Sequence, residues 1–585
     1  MKSYDEADKC LTRLVTEAIK DGWSRPALTD YQGDSMTYGN IAEKIETIHI
    51  VFARLGIERG DAVALCGRNC ANWAVAFMAT VTYGAVAVPI LHEFKTEQIG
   101  NILEHSESKL LFAADNILKE LEQEAGRPAM PPHLLAVVNL ADFNWSPLLS
   151  SPKGEELHPD GTIPPWGDKR GAWGDLWQAA CAEFRLRHPQ GLTPADVNYA
   201  AAAPDDLAII NYTSGSTGKS KGVMLSQKNL WNNVQFGIDI LNDKIAKDGT
   251  IVSILPMAHM YGLAFEILSE FCMGMHIYFL TKLSPTLIFK AFAEVKPTLI
   301  VCVPLIIEKV IRRTVMPRLQ DIRIRTLLHL PVIGRTVKQS ICKKLTQAFG
   351  GRFYEVIIGG AALSDDVSAI LHDIGFRYTV GYGTTECAPL ITYEDFAHYQ
   401  PGTCGKAIDR MEIKIGSTDP ANIVGEILVR GDGVMLGYFK NKEATDSAID
   451  ADGWYHTGDL GVMQADGTIS IRGRSKNMLL GPNGQNIYPE EIEDKLNAMM
   501  LVAESVVIQK AGRLYALIYP DHDEAEAAGI SAKELSLALD KTRREVNQEL
   551  PAYEQIAGIK VMQQEFEKTP KKSIKRFLYL EEEVG

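Results

Sequence analysis

The sequence predicts an α/β protein of more than one domain, and three observations carry that expectation. At 585 residues the chain is longer than one hydrophobic core serves. Short β-rich runs alternate with amphipathic stretches through its first two thirds. Ala62 to Leu65 and Ala85 to Val88 read as strands with a helix-length segment between them, the pattern of parallel strands layered with helices. From Thr403 to Ile471 the texture changes to short strands, such as Glu412 to Ile415 and Glu426 to Val429, separated by glycine turns. The expected architecture is a large N-terminal domain of layered α/β subdomains (1–475) with a small β-rich subdomain (402–475), then a small C-terminal α+β domain (476–585).

Composition narrows the class. The chain is 46% hydrophobic and 23% charged, as in an ordinary globular protein, and its formal charge of −14 argues against a nucleic-acid partner. One segment runs against that charge. Between Lys309 and Lys344 ten Lys or Arg face a single acid, Asp321, among apolar residues such as Ile306, Ile307, Leu327, Leu328 and Ile333. Peripheral contact with an anionic membrane is expected there, beside the plainer reading of a solvated helical face. Nine scattered cysteines have neither Cys-x-x-Cys nor zinc spacing, which suits reduced thiols. The polar opening MKSYDEADKC reads as no secretory leader, so a cytoplasmic location is expected. Asn69 to His92 lacks Asp, Glu, Lys and Arg, but its Asn72, Thr80, Thr82, Gly84 and Pro89 predict a buried helix and strand, not a membrane span. Residues 144–175, dense in Pro, Gly and Trp, read as a surface excursion.

The stretch 211-NYTSGSTGKSKGVMLS-226 holds three glycines and seven hydroxyl or lysine side chains between Thr213 and Gly222. A Walker A loop is excluded, since Thr213 stands where that pattern needs glycine and an extended run, not a helix, follows. The segment instead predicts a hairpin between two strands. Gly215 and Gly218 let its backbone approach a polyphosphate, while Thr213, Ser214, Ser216 and Thr217 offer hydroxyls and Lys219 or Lys221 a charge. A solvated hairpin without ligand is the alternative.

Three further clusters follow. In 381-GYGTTECAP-389, Gly381 and Gly383 expose backbone, Thr384 and Thr385 offer hydroxyls, Tyr382 offers a flat face to a base, Thr385 can hydrogen-bond a phosphate oxygen, and Glu386 can hold Mg²⁺. Just upstream, Gly360 and Ala361 form a turn after the strand Val356 to Ile358, where backbone can close over a base. In 453-GWYHTGDLG-461, Asp459 suits a ribose diol, and 473-GRSKNMLLGPNGQNIYPEEIE-493 adds Arg474 and a polar hinge before a new helix.

In this order the four motifs resemble the adenylate-forming superfamily of acyl-CoA synthetases, peptide-synthetase adenylation domains and beetle luciferases. The likeness runs from 36-MTYGNIAEKI-45 onward. The segment 255-LPMAHMYGLAFE-266 and the helical stretch after Pro304 look most like the long-chain fatty acyl-CoA ligases. The resemblance implies ATP, Mg²⁺ and coenzyme A, with a medium- or long-chain fatty acid as substrate. It implies that the loop from Thr213 to Lys221 holds the β- and γ-phosphates, that Tyr382 stacks on adenine, that Thr385 meets the α-phosphate, and that Glu386 ligates the metal. Asp459 and Arg474 would bind the ribose, and Lys476 would be the hinge of a mobile C-terminal domain. His259 would border the acyl and pantetheine channel, which Gly484 would line after the swing; the residues alone make His259 a core histidine.

One departure stands out. Where the family carries its C-terminal catalytic lysine, 569-TPKKSIKR-576 has Ser573. A one-residue slip makes Lys572 the catalytic lysine, with Lys571 as runner-up, because a terminal loop tolerates such a slip. Three other readings compete: an acyl-AMP ligase loading a carrier-protein thiol, a noncatalytic nucleotide- or acyl-binding protein, and a kinase or ATPase releasing ADP.

Overall fold

The computed structural model describes residues 4–123, 131–143, 176–199, 202–213, 220–481, 485–568 and 574–584. The predicted excursion at 144–175 lies outside them.

The largest sheet has seven strands. Its spatial order is Gly437–Tyr438, Lys221–Ser226, Leu207–Thr213, Val86–Ile90, Ala62–Cys66, Leu110–Ala113 and Ala136–Asn139. The last five are parallel, and the strands at 62–66, 86–90 and 110–113 are buried at every residue. Their unbroken apolar runs are what a sheet covered on both faces demands. The helix Ala71–Tyr83 ends on Gly84, whose φ of 86° closes the last turn in the left-handed region before the chain enters the 86–90 strand. The uncharged stretch at 69–92 is therefore a buried helix and strand, as expected. Among the described residues no helix is long and apolar enough to cross a membrane.

The strands Leu207–Thr213 and Lys221–Ser226 pair antiparallel from Leu207 opposite Ser226 to Thr213 opposite Lys221, so the predicted hairpin is present. A second sheet joins strands at 26–30, 35–37, 250–253 and 276–279, and a third holds the parallel strands Ile300–Cys302, Val356–Ile358 and Tyr378–Val380. The β-rich subdomain is an antiparallel meander of Met411–Gly416, Gly425–Gly431, Tyr455–Met463 and Ile469–Arg474. At the C-terminus the helices Pro489–Asn497 and Ala532–Glu549 accompany a three-stranded sheet around a separate core that includes Ile492, Leu496, Val507 and Leu539.

The basic segment is helical, through Pro304–Val310, Ile322–Leu328 and Pro331–Ala348 among others. Its apolar residues divide differently from expectation. Ile307 is fully buried in a core shared with Phe292 and Phe349, and Ile306 packs against that core. The large apolar side chains that are exposed are Leu305, Ile322, Leu330, Val332 and Ile333. All nine cysteines are free thiols.

Candidate active site

The site forms where the hairpin, the 381–389 turn and the β-rich subdomain meet. Thr213 and Lys221 face each other at the neck of the hairpin because antiparallel pairing sets them opposite. The Lys221 ammonium stands 4.6 Å from the centre of the Tyr438 ring, and the Tyr438 hydroxyl donates to Glu386 Oε1 at 3.0 Å. One tyrosine thus joins Lys221 of the hairpin to the Glu386 carboxylate. No motif signalled Tyr438: it lies 52 residues from Glu386, and only folding brings it there.

The 381–389 turn is built for close approach. A Cβ on Gly383 would stand 2.1 Å from the Pro389 carbonyl oxygen, so only glycine fits. Thr385 and Glu386 begin a 3-10 turn. The Thr384 hydroxyl is buried with no oxygen or nitrogen partner among the described residues. Gly360, at φ 85°, and Ala361 follow the 356–358 strand into the same cleft.

The pairing of Asp459 with Arg474 comes from strand register. Asp459 and Arg474 are cross-strand partners, and their side chains meet at 3.0 Å between Oδ1 and Nε. Tyr382 donates its hydroxyl hydrogen to Asp459 Oδ2 at 2.7 Å. Burial raises the Asp459 carboxyl above the ordinary aspartate range, against the opposing effects of Arg474 and Tyr382. Lys476 lies exposed in the turn that follows.

His259 caps a short helical turn, its Nδ1 accepting from the Tyr261 amide at 3.2 Å. Tyr261 reaches across to donate its hydroxyl to the Ile357 carbonyl at 3.1 Å, and its ring stands 3.0 Å from where a Cβ on Gly359 would be. A single cleft of 2420 Å³ is bordered by Thr213, Lys221, His259, Gly360, Ala361, Tyr382, Gly383, Thr384, Thr385, Glu386, Asp459, Arg474 and Lys476. Ile574 and Arg576 of the C-terminal unit border it too. Ser214, Gly215, Ser216, Thr217, Gly218, Gly484, Lys571 and Lys572 lie outside the described residues.

The donor set fits a nucleotide: a cation and hydroxyls at one end, a buried carboxylate on an aromatic hydroxyl at the other, and a glycine cradle between. Among the described residues no group of three or more His, Cys, Asp or Glu could hold a metal by itself. A single carboxylate such as that of Glu386 is the kind of protein ligand Mg²⁺ takes beside substrate phosphates, since it is bound by one or two carboxylates with phosphate oxygens and water.

Residues 15–439 match the AMP-binding enzyme family, and residues 477–582 match its C-terminal domain. The chain belongs to the AMP-binding enzyme family. Among AMP-binding enzymes, it is similar to "Long-chain-fatty-acid--CoA ligase FadD15" of Mycobacterium bovis, with 27% identity over 506 residues, 83% of this chain and 77% of that one. It is 29% identical over 504 residues to a Mycobacterium tuberculosis ligase, 84% of this chain and 86% of that one. That enzyme is named "3-[(3aS,4S,7aS)-7a-methyl-1,5-dioxo-octahydro-1H-inden-4-yl]propanoyl:CoA ligase". The anthranilate CoA ligase AuaEII, solved in complex with anthranoyl-AMP, shares the fold with a TM-score of 0.73 at 19% identity, over 97% of this chain and 96% of that one. ATP-bound MatB from Rhodopseudomonas palustris does so with a TM-score of 0.70 at 23% identity, over 97% and 99%.

Proposed function

We propose that this AMP-binding enzyme is an acyl-CoA ligase. It activates the carboxyl group of a medium- or long-chain fatty acid with ATP, then transfers the acyl group to coenzyme A, releasing AMP and pyrophosphate. The observation that carries this reading is the arrangement of the cleft. Lys221 and Glu386, joined through Tyr438, lie at its phosphate end, Asp459 and Arg474 at its ribose end, and His259 and Tyr261 on its inner wall. The names of two relatives differ in the acyl group, a fatty acid in one and a bicyclic dione in the other, so the acid is the finer part of the proposal.

In the first half-reaction a carboxylate oxygen attacks the α-phosphorus of ATP, and the bond to the β-phosphate oxygen breaks in line. Charge builds on the leaving pyrophosphate and on the α-phosphoryl oxygens. Lys221 and the loop hydroxyls from Ser214 to Thr217 neutralise the first, and Thr385 donates to the second. Glu386 would hold Mg²⁺, which would supply further charge neutralisation for the leaving pyrophosphate. Tyr382, Asp459 and Arg474 fix base and ribose, so that the phosphorus meets the carboxylate without further search. In the second half-reaction the thiolate sulfur attacks the acyl carbon, its proton having passed to solvent, and the carbon–oxygen bond to AMP breaks.

A mixed anhydride is destroyed by water, so a domain that closes over it serves the chemistry. The C-terminal unit is that domain in this reading, with Lys476 its hinge and Gly484 lining the channel after the swing. Lys572, or Lys571 in its place, reaches the first transition state. The segment carrying them has fixed ends. Lys568 and Ile574 pair across it, and Arg576 grips buried Glu493 at 2.5 Å.

The exposed apolar side chains at 305, 322, 330, 332 and 333 stand among exposed Arg323, Arg325 and Arg335, a surface suited to anionic lipid, from which a fatty acid would be drawn.

Product analysis tests the reading. With ATP, Mg²⁺, coenzyme A and a chain-length series of fatty acids, AMP, pyrophosphate and acyl-CoA are expected. Acyl-AMP that accumulates despite coenzyme A would move the acceptor to a carrier-protein thiol, and ADP would overturn the proposal.

A further inference from the structure

The inner wall of the cleft holds a carboxyl group that neither the fold nor the nucleotide chemistry uses. Glu270, on the short helix Ser269–Cys272, borders the cleft with no accessible surface. No other described residue hydrogen-bonds either of its carboxyl oxygens. Glu266, one turn earlier, is equally buried but fully employed. It accepts from the Ile254 and Leu255 amides and the Ser253 hydroxyl, and so ties the chain around the 250–253 strand. Two acids of the same burial on the same helical run therefore differ in one respect: Glu266 is satisfied by the fold and Glu270 is not.

Apolar side chains line the same cleft: Phe236, Ile240 and Leu241 from the helix Gln227–Leu241, with Phe265 and Leu299. The Glu266 carboxyl is close enough for the charge of Glu270 to push it further up. Gly237 borders it as well, and a Cβ there would come within 2.9 Å of the Ser269 hydroxyl, which is likewise buried without a partner. A plain alkyl chain would leave the Glu270 carboxyl unsatisfied in the filled site. Buried polar groups are nearly always paired, and a pocket that hydrogen-bonds its substrate discriminates strongly against an analogue lacking the matching group.

We infer that Glu270 is a specificity-determining residue that selects acids carrying an uncharged oxygen, a hydroxyl or a ketone carbonyl, on the acyl group away from the carboxyl end. The inference rests on the acyl-CoA ligase reading above and names its substrate class more closely. Burial holds the Glu270 carboxyl up to about 8, so that at neutral pH it is mainly protonated and can both donate to a carbonyl or hydroxyl oxygen and accept from a hydroxyl.

Pyrophosphate release and AMP formation are to be compared for plain fatty acids and for acids of equal length bearing a hydroxyl or oxo group at successive positions. The proteins are the unaltered enzyme, Glu270→Gln and Glu270→Leu. At one substituent position the unaltered enzyme is expected to favour the oxygenated acid in kcat/KM by at least about tenfold, chiefly through KM. Glu270→Gln, which still donates and accepts, retains part of that preference. Glu270→Leu loses it and gains on the plain chain. The melting temperature without substrate provides a second readout. Removing an unpartnered carboxyl from an apolar wall leaves it unchanged or raises it, whereas a fall in Glu270→Leu would mean a structural role and overturn the inference. Equal preference in all three proteins overturns it also, while leaving adenylation intact. If no acid of either series yields AMP, the ligase reading falls and this inference with it.

Discussion

Tyr382 and Asp459 share a hydrogen bond of 2.7 Å that ties the aromatic face of the 381–389 turn to the carboxylate of the β-rich subdomain. The two residues are 77 positions apart and come from different sheets. Replacing Asp459 with Asn keeps the shape but removes the charge that meets Arg474 and a ribose diol. The KM for ATP is expected to rise tenfold or more, equivalent to about 1.4 kcal/mol, with a smaller rise in Tyr382→Phe. Steady-state kinetics at saturating acid checks this, and an unchanged KM in Asp459→Asn would remove it from the ribose site.

Lys572 carries the sharper mechanistic prediction. Lys572→Ala is expected to lose acyl-adenylate formation by about 100-fold or more while still converting supplied acyl-adenylate to acyl-CoA, with Lys571→Ala near normal. The reverse pattern would assign the role to Lys571. Pyrophosphate exchange and single-turnover transfer from synthetic acyl-adenylate separate the two half-reactions.

Glu355 sets a pH dependence of stability. It is fully buried, accepts from the Tyr393 hydroxyl and the Phe396 amide, and is held by burial up to about 7 against an ordinary 4.5. The folded state therefore favours the protonated form. That contribution is complete below about pH 4.5, declines as pH rises, and is gone above about pH 7, about 3 kcal/mol in all. Thermal midpoints from pH 4.5 to 8 should fall less steeply in Glu355→Gln than in the unaltered protein; parallel curves would contradict the assignment.

The basic helical segment is tested by sedimentation with vesicles. Binding to anionic vesicles at low salt, weakened by salt and by a triple Arg323, Arg325 and Arg335 to Ser variant, is expected, at about 1 kcal/mol for each charge near the surface. Equal binding to neutral vesicles, or none at all, would count against a lipid contact.

The candidate nucleotide motifs could be picked out of the sequence because glycine, hydroxyl and carboxylate are contiguous on short turns, as in 381–389. Register then does the rest, as it does for Asp459 opposite Arg474. Tyr438 beside Lys221, and Tyr261 and Glu270 on the inner wall, were not legible. They come from separate elements, and each reads locally as core until packing shows what it faces. The apolar residues of the basic segment illustrate the same limit. Helical spacing does not say which face meets the protein, and Ile307 turned inward while Leu305 turned out. The parallel sheet was readable for the opposite reason, since burial on both faces leaves an uninterrupted apolar run.

The two-residue strand Gly437–Tyr438 has a consequence for how the protein keeps itself from self-association. It pairs with Met224 and Val223 on the outer side of the Lys221–Ser226 strand, with Leu436 and Phe439 extending the ladder by two amide bonds. The apolar run from Gly222 to Leu225 would otherwise be the open margin of a six-stranded sheet, a template for another chain to add itself. The chain covers that margin with a segment 210 residues and more downstream, so the safeguard arrives late in synthesis. Until it docks, the Lys221–Ser226 strand presents an unpaired apolar edge on the nascent chain.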